Sequence, residues 1–377
     1  AIENSVKEKP DARPITVLPD THVAVPISPP YRALVGWMPG GTAVACIALC
    51  AFFTLLTGGS GVTILALGGL LLPAMLKEGY RERFSIGLLT ASGSLGLLFP
   101  MSLPLILYSI IANIAMEDLF IGGLLPGMLM LGMLAAYSVR EAIRTGAART
   151  PFVAREAGAA LWNAKWEIGL PLVVMTALLG GYATPVESAA LAALYAFIMQ
   201  RFIHRDLPAM RDVVRVTADS VGLVGGVLVI LAVAVGLTNY MVNAQIPDAL
   251  IAWTTTHVES KLMFLLALNA FLLIVGSLMD IFSAIVVVVP LISGVAAAYG
   301  INPVHLGVIF VANLELGYLH PPLGLNLLLA SVRFKRPVLD VMWATIPMLI
   351  ILAIGVLLIT YVPWLTLAPL EWFGRSQ

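Results

Sequence analysis

Charge is scarce in this sequence. Asp, Glu, Lys and Arg make up 11% of its 377 residues, where a soluble domain carries about a quarter. The charges that exist balance, 21 basic against 21 acidic. The basic side chains sit in short loops rather than on one face, which excludes a nucleic-acid footprint. Histidine is rare and scattered. The two cysteines, Cys46 and Cys50, lie one helical turn apart on an apolar segment, with no His or acid nearby in sequence. They read as buried small residues rather than a metal centre. No Ser/His/Asp set and no paired metal-ligand spacing occurs, so no enzyme is expected. The GGSG at 58–61 has neither the preceding strand nor the following lysine of a phosphate loop. Residues 1–31 have no apolar run and hold six of the 24 prolines. They read as a Pro-rich polar linker without a signal-peptide core.

What is abundant is hydrocarbon. Hydrophobic residues reach 60% and the mean hydropathy is +0.97. Apolar runs of about 20 residues, the length that crosses a bilayer, recur from residue 33 to 363. The fold class expected is an all-α polytopic membrane protein.

One pattern occurs twice. GGSGVTILALGGLLLP at 58–73 is followed by ASGSLGLLFPMSLP at 91–104; GSLMDIFSAIVVVVP at 276–290 is followed by ANLELGYLHPPLGLN at 312–326. Each half has a polar break, then a helix-like run ending near Pro73 or Pro290. A second break, Gly-x-x-x-Pro, follows at Gly96–Pro100 and Gly317–Pro321. Breaks at corresponding places in two halves of an apolar chain mark a secondary transporter with its site where the broken helices meet.

The loops set the orientation. Basic clusters fall at Lys77, Arg81 and Arg83; at Arg140, Arg144, Arg149, Arg155 and Lys165; at Arg201, Arg205, Arg211 and Arg215; and at Arg333, Lys335 and Arg336. The intervening loops are nearly free of Lys and Arg, so the clusters face the cytoplasm. Both ends of 33–76 are then cytoplasmic, which makes it a re-entrant hairpin turning near Gly58–Gly61. Segment 262–299 enters from the other side and turns near Ser277–Ser283. Segments 84–115 and 304–332 each cross once, in opposite senses, as broken helices. These are inverted repeats. Further crossings are expected at 119–139, 166–182, 184–203, 217–241 and 338–363.

Breaks inside a bilayer free backbone groups, which is tolerated where they line a polar cavity. Freed carbonyls suit a hard cation such as sodium, and half-helix N-termini suit an anion. Asp280, at the second tip, is either a functional intramembrane carboxylate or the N-cap of the following helix. Glu315 is a proton or cation site, or a partner of an arginine or a wet cavity. Asn313 and Asn326 coordinate or donate, or bond helix to helix. Ser60, Thr63, Ser92 and Ser94 carry the same two readings. His320 lines the site or, more plainly, is a satisfied polar residue. Thr184 with Pro185 and Glu187 reads as a structural capping box.

LLLPAMLKEGYRERFSIGLLTASGSLGLLFPMSLPLILY, GGYATPVESAALAALYAFI and HLGVIFVANLELGYLHPPLGLNLLLASV resemble the large membrane subunit of tripartite ATP-independent periplasmic (TRAP) transporters, over about residues 33–363. The resemblance implies import of an organic acid anion such as a dicarboxylate or sialic acid, driven by sodium ions. It also implies a soluble periplasmic solute-binding protein, a small membrane subunit and an elevator motion. A transport domain is implied at 32–139 and 262–333, with loop, scaffold and arm at 140–261 and the final helix and tail at 334–377; helix 338–363 is grouped with the scaffold. The implied sodium sites are Gly58, Gly59, Ser60, Ser94, Gly96, Asp280, Gly317 and Pro321. The implied substrate site adds Thr63, Asn313 and Asn326 to Ser60. Two departures stand out. Met101 replaces the second proline usual in the first break. The family's helices before the first hairpin are replaced by the Pro-rich linker, so they are expected upstream of residue 1 or on a separate polypeptide.

Overall fold

The computed structural model describes residues 37–146, 158, 159, 162, 165–205, 209–321 and 323–375. The Pro-rich segment 1–31, Arg149, Arg155 and Pro322 lie outside the described residues. Among the described residues the regular structure is helical, and six helices are long and apolar enough to cross a membrane, or seven counting one bent pair.

The first repeat begins with two helices, α1 (Gly41–Thr57) and α2 (Ser60–Lys77). At about 1.5 Å per residue each arm is about 26 Å long, close to the hydrocarbon thickness. Next come α3 (Glu82–Ser92), a 3₁₀ turn at Leu95–Leu98 and α4 (Leu103–Ala112); the two halves bend by 42° at the break. A long helix, α5 (Met116–Thr145), closes the unit. The second repeat copies the order: α10 (Lys261–Leu278), α11 (Ile281–Ala298), α12 (Pro303–Gly317), α13 (Leu325–Phe334) and α14 (Val338–Tyr361). Between the repeats lie α6 (Lys165–Leu179), α7 (Pro185–Ile198, continued by a π turn), α8 (Met210–Asn243) and α9 (Ile246–His257); α15 (Trp364–Trp372) ends the fold.

The repeats interlock. The second arm of each hairpin packs along the second half of the other repeat's broken helix, α2 with α13 and α11 with α4. Each first arm packs against its own break, α1 on the 3₁₀ turn and α10 on α12. The main apolar core encloses Leu88, Tyr108, Phe310 and Leu352 fully, and a second, smaller cluster around Ile64, Ile86, Leu327 and Val341 joins α2, α3, α13 and α14. Between the repeats the chain is far more open. Val221, Leu228 and Val233 on α8 are each more than half exposed, as expected of a helix surface that meets lipid.

Several elements differ from the sequence reading. The runs expected to stop near Pro73 and Pro290 continue to Lys77 and Ala298, with the proline inside the helix. A proline removes one helix bond, and neighbouring helices in a membrane carry the bend. Helix α9 falls in a stretch read as a loop, and α15 in one read as a tail. Helix α14, grouped by resemblance with the scaffold, packs against α3, α5, α12 and α13 of the two repeats. The Thr184 capping box is present: Thr184 N–H donates to Glu187 Oε2 at 2.8 Å, and Glu187 N–H to Thr184 Oγ1 at 3.3 Å.

Residues of three basic clusters pair with acids of α3 and α5. Glu141 sits 3.9 Å from Arg81 and 3.7 Å from Arg144, and Arg336 pairs with Glu82 at 2.5 Å. Arg375 beside α15 pairs instead with Asp118 at 3.1 Å, at the start of α5.

Candidate functional site

The first tip is a glycine turn. Gly58 ends α1 with φ +68° and donates to the Thr54 carbonyl at 2.7 Å. A Cβ there would also lie 2.7 Å from Leu103 Cδ1, so both backbone and space demand glycine. Gly59 is extended and Ser60 opens α2. Ser60 is buried and donates to Asn326 Oδ1 at 2.9 Å, across 266 residues of sequence. Thr63 is buried as well. Its hydroxyl lies 2.5 Å from Thr54 Oγ1, which donates to the Gly93 carbonyl at 2.7 Å. Thr63 therefore fastens the tip to the head of the first break.

The second tip is capped by Asp280. Its carboxylate accepts from Phe282 N–H at 2.9 Å, Ser283 N–H at 3.0 Å and Ser283 Oγ at 2.5 Å. This is the N-cap alternative in full, and the residue is exposed. A cap of this kind stabilises a helix by about 1 kcal/mol. The next N–H, Ile281, donates to Tyr318 Oη at 2.7 Å.

The two breaks resemble each other in packing and differ in polarity. A Cβ on Gly96 would lie 2.3 Å from the Ala51 carbonyl, and one on Gly317 would lie 2.7 Å from the backbone of Gly276. Each break thus presses a glycine on the first arm of its own hairpin. In the first break the hydroxyls are consumed locally: Ser92 donates to the Leu88 carbonyl, Ser94 to Ala91 and Ser102 to Leu97. Met101 holds φ +72°. Proline, locked near φ −65°, has no access to that conformation, so this departure changes the backbone and not only the wall.

The second break keeps polar capacity in reserve. Among the described residues, Asn326 Nδ2 and His320 Nδ1 are buried without a hydrogen-bond partner, and so are both carboxylate oxygens of Glu315. Asn326 and Glu315 are 0% exposed, so water does not substitute. The plain reading of His320 as a satisfied side chain does not hold for Nδ1. Pro321 is half-buried beside it.

Asn313 is engaged elsewhere. Its Nδ2 donates to Asn269 Oδ1 at 2.6 Å and to the Ile309 carbonyl at 2.8 Å; Thr360 Oγ1 donates to the same Asn269 oxygen at 3.1 Å. That is the helix-to-helix alternative, tying α10, α12 and α14 together. The structure thus brings Gly58, Gly59, Ser60, Thr63, Ser94 and Gly96 to one tip and break. Asp280, Gly317, Pro321 and Asn326 stand at the other, and Ser60–Asn326 joins the two groups. Asn313 belongs to neither contact. Thr54 and Tyr318 are missing from the sequence reading, because only their distant partners distinguish them. A groove of about 500 Å³ is lined by Glu82, Arg83, Arg336, Asp340 and Trp343; it lies at the starts of α3 and α14, not between the tips.

Chemically, the donors at the tips are already engaged, the first turn of α11 with Tyr318 and Asp280 and Ser60 Oγ–H with Asn326, which leaves the amide of Asn326 as the donor in reserve. Donors at a half-helix N-terminus favour an anion. The backbone carbonyls at Ser94, Gly96 and Gly317 each accept one bond, from Leu97, Phe99 and His320, and keep a second lone pair for a hard cation.

Comparison with known proteins agrees with this architecture. The family model for the DctM component of tripartite ATP-independent periplasmic transporters matches residues 16–365. The C4-dicarboxylate TRAP transporter large permease of Rhodobacter capsulatus is 34% identical over 351 residues, covering 89% of this chain and 80% of that protein. Its counterpart in Pseudomonas aeruginosa is 33% identical over 348 residues, covering 92% and 81%. The ectoine TRAP transporter large permease of Halomonas elongata is 31% identical over 337 residues, covering 89% and 78%. Two repeats with paired tips, a membrane-spanning helical fold, a family model over most of the chain and these large-permease relatives lead to one conclusion: the chain belongs to the DctM family of TRAP transporter large permeases, and it is a multi-pass inner-membrane transport protein, not an enzyme.

Proposed function

We propose that this chain carries a small organic acid anion, a carboxylate of the C4-dicarboxylate kind, into the cell on a sodium gradient. A periplasmic binding protein delivers the solute and a small membrane subunit completes the carrier. The observation that carries the reading is the joining of both hairpin tips to the second break, through Ser60–Asn326 at 2.9 Å and Ile281–Tyr318 at 2.7 Å. A closed pair of tips with an unused donor on Asn326 suits an anion held out of water. Sodium would sit on the carbonyls of the breaks and first tip, at Gly58, Gly59, Ser94, Gly96, Gly317 and Pro321. The hydroxyl of Ser60 serves solute or cation, and Asp280 serves as the cap that holds the second tip. Thr63 and Asn313 shape the site through their own partners. The relatives' names support the solute class, since two of the three described above are C4-dicarboxylate permeases. An elevator movement, in which the interlocked repeats slide as one body, fits the packing of each repeat's hairpin on the other's broken helix.

The test is solute uptake into proteoliposomes holding the complete membrane complex, under an imposed sodium gradient, with and without the cognate binding protein. Uptake that requires both supports the proposal. Uptake with sodium alone moves the chain to carriers that need no binding protein, and uptake indifferent to sodium overturns the coupling.

A further inference from the structure

Tyr318 stands at the join of the two tips. Its hydroxyl accepts from Ile281 N–H at 2.7 Å. Its carbonyl accepts from Asn326 N–H at 3.2 Å, and Asn326 Oδ1 accepts from Ser60 Oγ at 2.9 Å. Ile281 is the first residue of α11, so its N–H has no partner within the helix. The Asp280 cap serves Phe282 and Ser283 instead. Tyr318 is 3% exposed, and water does not replace its hydroxyl. A hydrogen-bonded bridge therefore runs from one tip to the other through two residues, Tyr318 and Asn326. The segment that holds this bridge also carries His320 Nδ1 and Asn326 Nδ2, which have no partner among the described residues.

We propose that Tyr318 is a positioning residue that couples the two hairpin tips, making them open and close as one unit. What the tips enclose rests on the function proposed above; the coupling itself does not.

The experiment uses the complete membrane complex with Tyr318→Phe. Tyr108→Phe is the control, because Tyr108 is equally buried and its hydroxyl has no partner. Backbone hydrogen exchange is followed at both tips, in peptides spanning 278–284 and 57–62. Tyr318→Phe is expected to speed exchange at both tips and Tyr108→Phe at neither. In uptake, Tyr318→Phe is expected to raise the half-saturating solute concentration about tenfold, the weight of one buried hydrogen bond, with the maximal rate within about twofold. Ser60→Ala cuts the same bridge at its other end. The double variant should then be no worse than the weaker single, since members of one unit are not additive. Faster exchange at the second tip alone, or additive losses in the double variant, overturns the proposal. If Tyr318→Phe does not assemble, Ser60→Ala decides: unchanged exchange at 278–284 overturns it. Wild-type protein without sodium-driven uptake sinks the transport reading, while the exchange comparison still judges the bridge.

Discussion

Met101 shows how much one residue reveals about a break. It holds φ +72°, a conformation that costs a non-glycine residue about 1–2 kcal/mol. Met101→Gly should relieve that strain and raise thermal stability by about 1 kcal/mol, read by melting of the detergent-purified complex. Met101→Pro should not yield folded transporter; a proline variant with wild-type melting and uptake would show that the positive φ is dispensable. Asp280 separates capping from charge. Asn caps about as well as Asp, so Asp280→Asn should melt within about 0.5 kcal/mol of wild type. The sodium concentration for half-maximal uptake should rise if the charge also serves a cation. An unchanged sodium curve removes Asp280 from the ion sites and leaves it as the cap that the geometry describes. Both the cap and the Thr184 box were legible in sequence, because a cap and its hydrogen-bond partners lie within three residues of each other. His320 was not, because satisfaction of a side chain depends on neighbours from other helices.

At the scale of elements, a glycine in each break decides how closely its hairpin approaches. Gly317 meets Gly276 backbone to backbone, with a virtual Cβ at 2.7 Å from its neighbour. Gly317→Val should force α10 away from α12, costing about 1–3 kcal/mol as an overpacked contact and abolishing uptake. A valine variant with normal uptake would refute the need for that contact. Gly276→Ala attacks the same surface from the other side, where a Cβ would lie 3.0 Å from Leu314, and should give a milder loss in the same assay. The helices themselves were readable from apolar runs, and five of the expected crossings have a helix at their place. Their ends were less so. Proline inside α2 and α11 does not stop either helix, because packing from neighbours outweighs one missing bond. Helices α9 and α15 escaped notice for being short; at 12 and 9 residues they carry too few periods to stand out.

For the whole molecule, charge placement sets the orientation. Arg81 and Arg144 reach Glu141 of α5 and Arg336 reaches Glu82 of α3, while Arg375 reaches Asp118 at the start of α5. The exposed pairs contribute little stability, within about 1 kcal/mol, so their arrangement reports topology more than strength. Cys46 and Cys50 are buried, which leaves the background for labelling low. Arg144→Cys in intact cells should react with a membrane-impermeant maleimide only after the cytoplasmic side is opened. Arg375→Cys should react from outside, and the reverse pattern would invert the assigned orientation.

Composition alone determined that this chain lives in a membrane as helices, because so little charge leaves no way to solvate a soluble surface. The repeated breaks determined that there are two hairpins and two broken helices, because a glycine or proline acts on its own turn. The tertiary structure alone decided which polar groups meet. Ser60 finds Asn326 across 266 residues, Ile281 finds Tyr318, and Asn313 turns to Asn269 instead of a tip. It also decided that α14 packs against α3, α5, α12 and α13. Helical periodicity is a property of neighbours in sequence. The partner of a buried donor is set by how distant helices pack, and in hydrocarbon, with no water to take its place, that packing determines which residues bind.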